Sequence, residues 1–185
     1  MRSRLWAGLR LVAALLVAGF GFLFWRGAES HALDDAYALV FGTPDLGPVE
    51  FASLTRRSSP NDALACPADL CPKAKADLAP PTFDVPAERL RAIVAEVALA
   101  EPNTALVSTE DGGEQDRYVA RTRLMRFPDT VDVRVIPQGE GRSTLALYSR
   151  SQIGYSDLGA NRERIERWLA AIAARAAEKP ETTEG

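Results

Sequence analysis

The sequence predicts an α+β protein: an N-terminal transmembrane helix, then a two-layer domain whose antiparallel sheet of about four strands carries two helices on one face. Three observations predict it. Leu11 to Trp25 is an unbroken run of apolar residues and Gly. Four segments between Thr104 and Arg150 are apolar or alternating and are joined by short, turn-rich stretches, the pattern of antiparallel neighbours. Two segments with apolar residues at helical spacing flank them, and helices in that order pack on one face of a sheet.

The 185 residues leave room for one domain behind an anchor. A net charge of −3 gives no overall attraction for nucleic acid, so none is expected as a partner. The single histidine, His31, lies close to the apolar run. The folded domain therefore has no means to build a Ser-His-Asp triad, a Cys-His pair or a His-ligated metal.

The apolar run is short for a bilayer, which takes ~20 residues. Extending it back to Leu5 gives a span of residues 5–25 with Arg10 near one end, where it can snorkel to the headgroups. Trp6 and Trp25 then stand roughly 28 Å apart along a helix, one at each interface. Arg2, Arg4 and Arg10 open the span, and after Arg26 no base occurs until Arg56. The positive-inside rule puts residues 1–4 in the cytoplasm, makes 5–25 a single-pass anchor of the inner membrane and places the domain outside. The alternative is a cleaved signal peptide, with Ala28-Glu29-Ser30 or Ser30-His31-Ala32 as the site. Both readings export the domain.

Residues 26–65 read as an extended lead-in, rich in Gly, Pro and Ser yet carrying Tyr37, Val40, Phe41, Phe51 and Leu54. So many large apolar residues imply a segment that wraps the domain rather than a free linker. Ala36 to Phe41 is expected as a helical turn and Val49 to Leu54 as a short strand. The domain proper is placed at residues 66–177. Asp84-Val85-Pro86 starts a helix, with Pro in the first turn, and Leu90, Ile93, Val94 and Val97 mark its buried face. Strands are expected at Thr104–Ser108, Arg117–Phe127, Thr130–Ile136 and Arg142–Arg150. Alternation puts Val131, Val133, Val135, Leu145 and Leu147 inside, and Tyr118, Ala120, Thr122 and Leu124 with them. The last helix is expected from Ser156-Asp157 to about Ala177, with a stripe of Leu158, Ile165, Trp168, Leu169 and Ile172. Residues 178–185 read as a disordered polar tail.

Two stretches carry a resemblance: R-Y-V-A-R-T-R-L-M-R-F-P-D-T-V-D-V-R from Arg117 to Arg134, and G-R-S-T-L-A-L-Y-S-R-S-Q-I-G-Y-S-D-L-G-A-N-R-E-R-I from Gly141 to Ile165. With its S-R-S-x-x-G-x-S-D-x-G-x-N-R motif, the chain from about Asp45 to Leu169 resembles the bacterial and plastid family called domain of unknown function 1499. The resemblance implies an exported or membrane-associated domain. It carries over no catalytic residue and no cofactor.

Four constellations can be weighed from the residues alone. At the corner after the fourth strand, Ser156 or Asp157 should cap the last helix. Asn161, Arg162 and Arg164 follow, near a positive helix end that could take a carboxylate or phosphate; the simpler alternative is that Asp157 fills that end and Arg150 pairs with it. On the outer sheet face, Arg121, Arg123, Arg134 and Arg150 offer a basic surface to an anionic lipid or an acidic partner. The alternative there is a solvated face with cross-strand ion pairs, Asp132 with Arg134 or Arg123. Cys66 and Cys71 fit a structural disulfide closing a Pro-rich loop in an oxidising space, against free thiols or redox work. Glu110, Asp111, Glu114 and Asp116 surround Gly112-Gly113 and read as a solvated turn, against an acid pair or a cation loop. The resulting expectation is a membrane-anchored, extracytoplasmic, non-catalytic module that binds an envelope protein or lipid, without cofactor or metal. The alternatives are a small-anion or lipid-headgroup binder, with Arg121, Arg123, Arg134, Arg150, Ser156, Asp157, Asn161 and Arg162 as its site, and an enzyme of unrecognised type.

Overall fold

Period-two alternation builds the sheet. The computed structural model describes residues 32–178 except Leu124, together with five positions between Gly8 and Leu15. Five strands form one antiparallel sheet: β1 (Asp62–Ala65), β2 (Thr104–Glu110), β3 (Gln115–Arg121), β4 (Pro128–Pro137) and β5 (Ser143–Ser151), in the spatial order β1-β5-β4-β3-β2. Among residues 32–178 three helices accompany it: α1 (Ala32–Phe41), α2 (Ala87–Ala100) and α3 (Ala160–Ala177). No helix among the described residues is long and apolar enough to cross a membrane. The segment 5–25 lies mostly outside the described residues, and so do residues 1–4 and 179–185.

The inner face of the sheet is the expected one. Tyr118, Ala120, Val131, Val133, Val135, Leu145 and Leu147 pack against Leu90, Ile93, Val94 and Val97 of α2 and Ile165, Trp168 and Ile172 of α3. Tyr118 and Trp168 meet edge-on at 5.9 Å between centroids, a geometry that the ring quadrupoles favour.

Several boundaries differ from expectation. The sheet has five strands because Asp62–Ala65, expected within the lead-in, pairs with β5 from Asp62↔Arg150 to Ala65↔Leu147. The domain therefore begins before residue 66. β3 ends at Arg121 rather than running to Phe127, because Thr122 closes a tight turn. Its N–H bonds the Phe127 carbonyl and its Oγ1 accepts from the Phe127 N–H, each at 3.0 Å, while Arg126 takes φ 54°. Val49–Leu54 forms a 3-10 turn over Phe51–Ser53, begun by Glu50, whose carboxylate accepts from the Ala52 N–H. The α1 helix extends the expected turn back to Ala32.

The largest correction concerns the outer face. It is not solvated. The lead-in crosses it and seals a second core of Phe51, Leu54, Leu64, Ala146 and Tyr148 with the Cys66–Cys71 disulfide, whose Cα atoms are 6.2 Å apart. The Leu46 N–H bonds Thr130 Oγ1 at 3.0 Å, and the Gln115 amide donates to the Val49 carbonyl at 3.0 Å. Of the arginines that alternation points outward, Arg117 and Arg150 are consequently buried and paired. Arg117 pairs with Asp45 at 2.8 Å and with Glu110. Arg150 pairs with Asp132 at 3.1 Å and donates to the Gly47 carbonyl.

Candidate functional site

The corner between β5 and α3 is held by a buried polar lock. Ser149 and Ser151 point inward from β5 on either side of the outward Arg150, because a strand alternates faces. Asn161, with no exposed surface, sits between them. Its Nδ2 donates to Ser151 Oγ at 2.8 Å, to Asp157 Oδ2 at 2.7 Å and to the Asn61 carbonyl at 3.1 Å. Its Oδ1 accepts from Ser149 Oγ at 2.5 Å and from Arg164 at 2.9 Å. Arg164 continues the lock to Asp129 at 2.8 Å. Buried polar groups cost free energy unless paired, and here the pairing is dense.

In this arrangement Asp157 fills the helix end, as in the simpler of the two readings of the corner. The α3 helix starts at Ala160 behind Gly159, which takes the left-handed φ of 89°. Asp157 nevertheless caps from outside, accepting from the Asn161 N–H at 3.0 Å and the Gly159 N–H at 2.9 Å. Ser156 only accepts from the Leu158 N–H within the turn. Arg150 pairs with Asp132 across the sheet and not with Asp157, because β5 turns its side chain to the face opposite the helix. Leu158, expected in the helical stripe, is 94% exposed. Arg134 reaches Glu114 at 3.2 Å, and Arg162 pairs along the helix with Glu166 at 2.9 Å. Nor is the acid loop merely solvated: Asp116 is buried and held by Arg91 through two bonds of 2.8 and 2.7 Å. Burial pushes its carboxyl up, and the hydrogen bonds from Arg91 and Thr109 more than reverse this, so it titrates below its ordinary value.

Of the expected binding residues, Arg121 and Arg123 share a true concavity. A cleft of about 990 Å³ opens between the end of α2, the end of β3 and the face of α3. Val97, Ala100, Pro102, Trp168 and Ala171 give it apolar walls. Arg121, Arg123, Arg164, Arg167 and Arg175 bring five guanidinium groups to it, against the carboxylates of Glu101 and Glu163. Glu101 is the hub of one side: it accepts from Arg167 at 3.1 Å and from the Trp168 indole, and Arg164 Nε stands 3.6 Å away. Arg121 pairs with Asp34 at 3.3 Å, yet its buried Nη1 has no acceptor among the described residues. Arg123 is exposed. Sequence reasoning missed Glu101 and Arg167, and read Arg164 only as one of the arginines at the start of the last helix. The signal available for Arg164 was its spacing, three residues past Asn161 and four before Trp168, which puts it on the buried stripe.

No curated protein matches the chain in sequence. Among solved structures, it is similar to a START superfamily protein from Mycobacterium smegmatis, at 11% identity over 53% of this chain and 94% of that one, with a TM-score of 0.35. It is also similar to the Zhui aromatase/cyclase from a Streptomyces species, at 14% identity over 58% and 96% of the two chains, with a TM-score of 0.33. The pattern of one family covers both β-rich stretches, the disulfide loop and the β5–α3 lock, from residue 48 to residue 172. The chain thus belongs to the family described as Protein of unknown function (DUF1499).

Proposed function

We propose that the domain is a non-catalytic binding module, tethered outside the cytoplasm by its N-terminal segment, that takes an anionic ligand with an apolar part into the α2–α3 cleft. A lipid headgroup has that chemistry. One observation carries the reading: the half-buried Arg121 and the exposed Arg123 stand at one concavity whose walls combine further arginines with apolar and aromatic surface. A planar guanidinium fork matches phosphate and carboxylate oxygens, and a cleft of this size suits a small organic ligand. The site expected on the outer sheet face moves here because the lead-in covers that face.

The test is thermal denaturation of the full chain in detergent with glycerol phosphate or with glycerol as control. The phosphate should raise the melting temperature, since a ligand bound only by the folded state stabilises it by ~2.7 kcal/mol at one hundred times its Kd. Arg123→Ala should abolish most of that rise, and Arg162→Ala, outside the cleft, should keep it. A rise that survives Arg123→Ala together with Arg121→Ala, or no rise at any phosphate concentration, refutes the site.

A further inference from the structure

The register of the sheet gathers the end of β3, the start of β4, the end of β5, and the starts of β1 and β2 at one end of the molecule. Arg121 pairs with Pro128, Asp129 with Ser151, Asp62 with Arg150 and Thr104 with Ala120. The α1 helix lies across this end. Asp34 holds Arg126 at 2.7 Å, Tyr37 packs on Phe127 at 5.4 Å, and the Phe41 carbonyl accepts from the Gln152 amide at 3.2 Å. The inward face of α1 is thus Asp34, Tyr37 and part of Phe41. Its outward face carries Leu39, 87% exposed, and Val40, 70% exposed. That reverses the ordinary polarity of a surface helix, whose outer face is polar. On the neighbouring β5–α3 corner, Tyr155 and Leu158 are 76% and 94% exposed. Apart from Leu99, Leu106 and Val107, every large apolar side chain that the described residues of 32–178 leave exposed is at this end.

The chain outside the domain says what covers these residues. The apolar run ends at Trp25, seven residues before Ala32. A chain fully extended spans at most ~3.6 Å per residue, so α1 begins within about 25 Å of Trp25. Arg57, exposed and donating to the Ser151 carbonyl at 2.8 Å, and the exposed Arg123 add positive charge at the same end, and basic groups next to an anionic leaflet are held to it.

We infer that this end of the domain is seated on the bilayer, with Leu39, Val40, Phe41, Tyr155 and Leu158 in the headgroup region and the body of the sheet standing away from it. The partner is an anionic lipid surface. Asp35 is exposed one turn before Leu39 on the same face, so α1 lies shallowly, its C-terminal half deeper than its N-terminal half. The cleft residues Arg121 to Arg123 belong to the same end, so its mouth opens beside the lipid. The inference goes beyond the cleft reading and shares with it only the membrane segment.

The experiment uses the full chain in vesicles of phosphatidylcholine and phosphatidylglycerol that carry a headgroup-level nitroxide lipid, or a mid-chain nitroxide lipid when the label is at residue 12. An environment-sensitive fluorophore is attached at Leu39→Cys, Leu158→Cys, Glu140→Cys or Val12→Cys, one at a time, while the native cysteines stay bonded. Glu140 is in the β4–β5 turn at the opposite end. Labels at residues 39 and 158 should lose most of their emission to the nitroxide, and the label at 140 should lose none. Equal, negligible loss at 39, 158 and 140 overturns the seating. If residue 12 is quenched in that case, the anchor stands and only the seating fails. If residue 12 is silent too, the anchor fails with it. Quenching at 39 and 158 with residue 12 silent upholds the seating without a membrane-spanning segment.

Discussion

Asn161 joins β1, β5 and α3 through one amide, which makes it the residue on which the corner depends. Asn161→Ala would strand Ser149, Ser151 and the Asn61 carbonyl in a dry site, each an unmet hydrogen bond costing roughly 1–3 kcal/mol. The expected loss is about 3 kcal/mol in urea denaturation, and a loss near zero would mean that the lock is not structural. Asp132 behaves differently. It is fully buried, its Oδ1 has no partner among the described residues, and burial pushes its carboxyl up to about 6 although Arg150 and Arg117 oppose the shift. An unfolded Asp titrates at about 3.9. Between those values the folded state keeps a proton that the unfolded state has lost, so this group's contribution to stability falls as pH rises through the window and stays low above it. Compared with Asp132→Asn, the unaltered protein should lose on the order of 2 kcal/mol between pH 4 and pH 7. Urea midpoints of the two proteins across that range measure it, and parallel curves would contradict the shift.

Among the elements, the lead-in has the greatest effect on what the surface presents. The Cys66–Cys71 bridge closes a loop of sequence separation 5 beneath Tyr148 and Phe51. A loop so short adds about 2 kcal/mol through the unfolded chain. The Cys66→Ser, Cys71→Ser pair should therefore fold with a lower melting temperature, and complete unfolding would show that the outer core needs the bridge. The elements with long periodic patterns were legible in the sequence. The stripe of α2, the inner residues of β4 and β5, and Trp168 docked on the sheet all follow from spacing. β1 was not legible, because Asp-Ala-Leu-Ala is short and its pairing with β5 is a long-range event that no local pattern encodes. The outward arginines read as a basic surface for the same reason. Alternation tells which way a side chain points, but not that a distant segment lies over it. The cleft was half legible: Arg121 and Arg123 stand out as charges on a strand, whereas Glu101 and Arg164 look like ordinary helix charges until α2 and α3 are side by side.

At the scale of the whole molecule, a chain placed across a membrane by Arg2, Arg4 and Arg10 should present its C-terminus outside. A reporter fused after Gly185 that requires an oxidising, extracytoplasmic space should be active, and one that requires cytoplasm should be silent; the reverse pattern would overturn the orientation. The sheet order has a further consequence, in time. Among the described strands β1 pairs with β5, its other edge meeting the local Asp77–Leu78 segment, and the Tyr148 hydroxyl reaches the Asp62 carboxylate across a sequence separation of 86. At ~5–20 residues per second of synthesis, that gap lasts roughly 4–17 s. Throughout it the early strand has no neighbour beyond the local bridge to Leu78, and Phe51 and Leu64 have no floor to rest on. The cysteine pair lies within a few residues of itself and is ready to close during the wait. The strand made first is thus the last to find its place, and every stop before Tyr148 leaves it without one.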